Sequence, residues 1–132
     1  MSNVLQKQVS FTANTTIATT TETMIAYSGR VQVTLPTVRA IVKCFCNCVP
    51  GPSTTSFRLR LFRGNTNTGT PMGNSAFIVP AAGALAAEIT LTWSEQLLSM
   101  EYVDYSVWLQ QAAATGSGTT QMVLLEVELI NG

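Results

Sequence analysis

The stretch Ser56–Gly69, SFRLRLFRGNTNTG, constrains this chain most, because an alternating run passes directly into a string of turn residues. Phe57, Leu59 and Leu61 fall on one side and Arg58, Arg60 and Phe62 on the other, the period of two that a half-buried β-strand requires. Gly64, Asn65, Asn67 and Gly69 tolerate positive φ, so the strand must end in a loop.

The same alternation recurs along the chain. Val38–Val49 places Val38, Ala40, Val42, Cys44, Cys46 and Cys48 on one face, read as buried, and Arg39, Lys43 and Asn47 on the other. Pro50-Gly51-Pro52-Ser53 turns it into the Ser56 strand. Further strands are expected at Val4–Thr12, Met24–Tyr27, Val31–Leu35 (an edge strand or an extended segment, stopped by Pro36), Ala76–Val79, Ala87–Trp93, Tyr102–Gln111 and Gln121–Ile130, with Pro71–Ser75 and Thr115–Thr119 as turns. Ala81–Ala87 is Ala-rich, but it is short, uncapped and contains a Gly, so it reads as a loop between strands. Ser94–Glu101 breaks the alternation and reads as a loop or one turn of helix carrying exposed Leu97, Leu98 and Met100. About eight strands with turns every 8 to 12 residues and no helix give an all-β antiparallel β-sandwich, and pairing of the first strand with the last makes an eight-stranded jelly roll the expected topology. The 132 residues form a single domain, with 1–35 an N-terminal strand and extended Thr-rich segment and 36–132 the sandwich. Residues Met1–Thr21 read as an arm making contacts outside their own sandwich, because NTTIATTTET has few large apolar side chains and β-branched residues suited to a neighbour's sheet edge, with an ordinary first strand of the same sandwich as the alternative.

Chemistry is sparse. There is no His and Asp104 is the only Asp, which removes His-based acid–base catalysis, Ser-His-Asp and Cys-His nucleophiles and most zinc sites. Glu88, Glu95, Glu101 and Asp104 are the candidates for a carboxylate pair, and nothing in their spacing singles one out. Gly64–Gly69 lacks the Lys and following helix of a phosphate loop. Cys44, Cys46 and Cys48 read either as small core hydrophobes or, with help from other strands, as soft-metal ligands, and their shared face with Val38, Ala40 and Val42 favours the core. No catalytic residue, cofactor or metal is therefore expected, and the chain reads as a non-enzyme. Formal net charge of +0 argues against a nucleic-acid partner, and charged residues at only 11% give weak mutual repulsion and favour an assembled state. No apolar run of membrane-helix length and no signal core is present, so the expectation is a protein with reduced thiols, folded in a cytoplasm and not in a membrane.

All Lys and Arg lie at or before Arg63, and all acids except Glu22 at or after Glu88. This split suggests Arg58 and Arg60 opposite carboxylates such as Glu126 and Glu128, either within one outer sheet face or between subunits. Tyr102 and Trp108 fall opposite the inward Val103, Tyr105 and Val107, and outward aromatics suit contacts. Tyr102, Trp108, Leu97, Leu98, Met100, Arg58 and Arg60 are thus the candidate interface of a homo-oligomer, most simply a trimer.

The strand and loop RLRLFRGNTNTGTPMG, the run DYSVWLQQ before the small-residue turn AAATGSG, and the final strand VLLEVELI together resemble small jelly-roll structural proteins of tailed bacteriophages and related viruses, including head decoration proteins. The resemblance covers about Val38–Ile130. It implies a virion protein without enzymatic activity, often trimeric, with the major capsid protein as partner. A receptor- or glycan-binding virion module and a cellular C1q/TNF-like or lectin-like binding domain are the competing readings.

Overall fold

The computed structural model describes residues 4–12, 15–17, 21–33, 37–78, 87–98, 102–112 and 115–131. The elements are β1 (Val4–Thr12), β2 (Thr16–Ile17), β3 (Thr23–Tyr27), β4 (Val31–Gln32), β5 (Thr37–Val49), β6 (Ser56–Arg63), β7 (Gly73–Ile78), β8 (Ala87–Leu98), β9 (Tyr102–Val103), β10 (Tyr105–Ala112) and β11 (Gly118–Asn131). One sheet has the order β1-β11-β5-β8, with β2 also paired to β11, and the other the order β3-β10-β6-β7, while β4 and β9 form a small two-stranded piece. All pairings are antiparallel. A five-stranded and a four-stranded sheet connected in this order, with the first strand on the last, are a jelly roll.

The core forms between the sheets where the alternation requires it. Val38, Ala40, Val42, Cys44, Cys46 and Cys48 of β5 are all buried, and they face Phe57, Leu59 and Leu61 of β6 and Tyr105, Val107 and Leu109 of β10 across the sandwich. The loop after β6 turns through Gly64 and Gly69 at φ 89° and 84°, a backbone that a Cβ would strain.

Four expectations are corrected. Ser94–Leu98 is not a loop or a helical turn: β8 continues through it in unbroken register with β5, Leu97 pairing with Val38. Leu97 is 1% exposed in the core and therefore is not a surface contact. Gly73–Ile78 is strand, so the turn expected at Pro71–Ser75 ends at Met72, three residues sooner. The N-terminus is not a projecting arm along Val4–Thr12, because β1 pairs with β11 of its own sandwich and β3 belongs to the second sheet. Residues 1–35 thus supply strands to both sheets and are not a segment apart from 36–132. The fourth concerns charge: Arg58 and Arg60 lie on β6 and Glu126 and Glu128 on β11, in different sheets. Residues 81–86 of the expected Ala-rich loop lie outside the described residues.

One end of the sandwich is closed by a buried polar group. Gln111 is 0% exposed; its Oε1 accepts from Gly51 N at 2.8 Å and Thr54 Oγ1 at 2.7 Å, and its Nε2 donates to Ile17 O at 3.2 Å. One amide thereby ties the β5–β6 turn and β2 to β10. Gly118 passes so close that a Cβ there would stand 2.8 Å from both Gln111 Oε1 and Val49 O.

Candidate interaction surfaces

The outer face of the β3-β10-β6-β7 sheet brings together three of the expected contact residues. Register places Met24, Trp108 and Arg60 in one row across β3, β10 and β6, with Gln110 beside Arg58 in the next. Their partner is Glu22, just before β3. Arg60 donates to it through Nε and Nη2, both at 2.7 Å, Asn67 Nδ2 donates at 3.0 Å, and Arg58 Nη2 stands 3.8 Å away. These donors, the Arg60 bonds foremost, hold the Glu22 carboxyl below its ordinary range against the opposing effect of burial. Arg60 also lies 5.0 Å above the ring of the buried Phe62, Arg58 donates to Gln110 Oε1 at 2.6 Å, and the Trp108 indole donates to Ser106 Oγ at 2.9 Å. The face is internally satisfied, so Glu22 works as a clamp joining β3, β6 and the loop after β6.

Tyr102 is elsewhere, on β9. It is 50% exposed with the Arg30 guanidinium 5.6 Å from its ring centroid. The side chain of Leu98, like Met100, lies outside the described residues.

Two of the candidate carboxylates are held by separate partners. Glu95 is turned inward, ion-paired with Arg63, and accepts from the Tyr105 phenol at 2.6 Å. Burial pushes the Tyr105 phenol up to about 12, with the Arg63 guanidinium acting the other way. Asp104 accepts from Tyr27 at 2.6 Å, a bond that raises the Tyr27 phenol. Glu88 is exposed on β8 and Glu101 lies outside the described residues. Among the described residues no cavity is found and no group of three potential metal ligands is assembled. The three cysteines are free thiols in the core; burial pushes Cys44 up to about 12, and the contact with Cys48 followed by burial raises Cys46.

The other sheet carries a surface that the alternation did not bring forward. On the open face of β5 and β11, Ile41, Phe45, Val49, Met122 and Leu124 are only half-buried, and Leu124 sits in register between Phe45 of β5 and Phe11 of β1. Val9 of β1 is 50% exposed. The signal was present in the sequence: IVKCFCNCV and MVLLEVELI are apolar at nearly every position, a pattern of strands covered on both faces. Lys43 and Glu126 face each other within this surface, so its charges are balanced.

The sequence matches no protein-family profile and no curated protein sequence. Among solved structures the chain is similar to the globular domain of zebrafish complement 1qA protein, with a TM-score of 0.45 and 10% identity over 92% of this chain and 94% of that one. It is also similar to Eiger TNF from S. frugiperda, with a TM-score of 0.45 and 14% identity over 80% of this chain and 67% of that one. The class is settled by the strand order itself: an all-β jelly-roll domain.

Proposed function

We propose that this chain is a non-enzymatic jelly-roll binding module that works as a homo-oligomer, a trimer in its simplest form, assembled through the open face of β5 and β11. The observation that carries the reading is the two-sided apolarity of these strands. Their inner faces build the core, and the outer face leaves Ile41, Phe45, Val49, Met122 and Leu124 partly exposed. Fully burying a Leu, Phe or Met side chain is worth about 1.5–3 kcal/mol. Completing the burial of five such partly exposed residues supplies a fraction of that each, together about 1–4 kcal/mol toward association, and the near-zero net charge offers no long-range repulsion against it.

A C1q/TNF-like binding domain is the first setting we propose, because the chain's first strand is used within its own sandwich and leaves that strand unavailable as a hook for neighbouring shell subunits. The second is a virion decoration protein on a major capsid protein, supported by the strand-and-loop RLRLFRGNTNTGTPMG. Electron microscopy of the source particle separates them: regular copies over a shell support the second setting. The assembly itself is tested by native mass spectrometry of the wild type and of Phe45→Glu/Leu124→Glu. The wild type is expected as a multiple of three copies of 14.1 kDa and the double variant in no such multiple, still unfolding cooperatively. A wild type that remains a single 14.1 kDa chain at micromolar concentration overturns the reading.

A further inference from the structure

We propose that the outer edge of β8 joins two copies of this chain into one continuous sheet, β8 against β8, antiparallel about a two-fold axis at Thr92. A strand at the edge of a sheet presents unpaired N–H and C=O groups, and folded proteins blunt such edges with charge, Pro, bulges or short length. Three of the four edges here have such a device. β1 carries Lys7 and a register shift between Val4 and Gln6. β3 is five residues long and shifts register against β10 between Val107 and Trp108. β7 is six residues long.

Against these β8 has only two acids, Glu88 near one end and Glu95, which is ion-paired with Arg63. It runs for 12 residues without a register shift against β5, contains no Lys, Arg or Pro, and among the described residues no turn or loop backbone bonds to its open side. Its solvent-facing residues, Glu88, Thr90, Thr92, Ser94 and Gln96, are all exposed, and three of them are the hydroxyl side chains that pair well across strands.

The occupant follows from the pattern of these residues. A two-fold axis perpendicular to the sheet keeps every side chain on its own face, so the axis must pass through a residue position. Axes at Thr92 and Trp93 pair equally long stretches, 87 to 97 and 88 to 98, and Thr92 is taken because it sets Glu88 opposite the Gln96 amide where Trp93 sets that acid opposite Leu98. It sets Thr92 opposite its own copy, Thr90 opposite Ser94 and Glu88 opposite Gln96, so the single acid on the outer face meets an amide. On the inward face Glu95 falls opposite Ile89. No like-charge pair arises anywhere along the edge.

Cysteine cross-linking tests both the pairing and the register, because directly opposed residues bring their Cβ atoms to about 4.5–5.5 Å, near disulfide reach. The native Cys44, Cys46 and Cys48 are buried and serve as the unreactive background. Under mild oxidation Thr92→Cys is expected to give a covalent dimer of twice 14.1 kDa. Thr90→Cys mixed with Ser94→Cys should cross-link, and neither should cross-link with itself. Thr92→Lys opposes two like charges at the axis and is expected to halve the particle mass, from six copies to three where the face of β5 and β11 also assembles, with cooperative unfolding retained. The proposal is overturned if Thr92→Cys stays a single chain while native thiols remain reduced, or if Thr90→Cys links to itself as readily as to Ser94→Cys. Because these residues are on the edge and not on the open face of β5 and β11, loss of edge pairing leaves a face-assembled oligomer intact, and the two interfaces fail separately.

Discussion

Replacing Gln111 by Leu roughly conserves volume and puts an apolar side chain at a site that is 0% exposed, yet it should be among the most damaging changes in the molecule. The substitution leaves the Gly51 N–H and the Thr54 hydroxyl without their acceptor and the Ile17 carbonyl without the Nε2 donor. A buried polar group deprived of its partner costs about 1–3 kcal/mol. Thr54 can relieve part of its loss by rotating its hydroxyl, so the expected total is about 3–5 kcal/mol, a large share of the roughly 5–15 kcal/mol that holds a domain folded. Guanidinium unfolding followed by tryptophan fluorescence reads this directly, with a lower midpoint and an unchanged slope. Thermal unfolding should fall by about 10–20 °C, at roughly 4 °C per kcal/mol for a domain of this size. A loss of less than about 1 kcal/mol with an unchanged slope would refute the idea that this amide ties the end of the sandwich together.

Glu22→Gln should lower stability at neutral pH by about 1–2 kcal/mol, since it removes a charged acceptor from a partly buried guanidinium. Because the folded carboxyl is held below its unfolded value of 4.5, its contribution is complete above that value and is lost as pH falls through the depressed one, so the wild-type and variant curves should converge in acid. Cys46→Ala should cost about 1–2 kcal/mol through a small core cavity, and EDTA should leave the melting temperature unchanged; unfolding on chelation would revive a metal site. Deleting Met1–Thr12 should cost cooperative stability, because it strips eight paired positions from β11; a truncated chain melting at the wild-type temperature would return this segment to the role of an arm.

Much of the fold is legible in alternation. Phe57, Leu59 and Leu61, the six inward residues of β5, and Val103, Tyr105, Val107 and Leu109 are buried where a period of two places them. Alternation fails where a polar residue faces inward with a partner remote in sequence. Glu95 breaks the pattern of β8, and its partners Arg63 and Tyr105 are supplied by β6 and β10, so Ser94–Leu98 looked like a loop and Leu97 like a surface residue. Arg60 shows the same difficulty in charge, since the one acid outside the C-terminal half, Glu22, is the one it binds. Of the expected contact residues Arg58, Arg60 and Trp108 share a face, while Tyr102 stands apart. The apolar face of β5 and β11 was written in IVKCFCNCV and MVLLEVELI, but one chain read alone does not say that both sides of a strand will be covered.

Hydroxyl-radical footprinting tests that coverage most directly, because each molecule contains its own reference. Met24, 38% exposed on the opposite sheet, reports the rate of an open methionine, and Met122 and Phe45 report the face of β5 and β11. In assembled protein at micromolar concentration Met24 should be modified at the rate of an exposed side chain while Met122 and Phe45 are protected, and dilution should bring their rates up toward that of Met24. Modification of Met122 and Phe45 at a constant rate across the whole concentration range would show that the face is open in every state and would contradict the account.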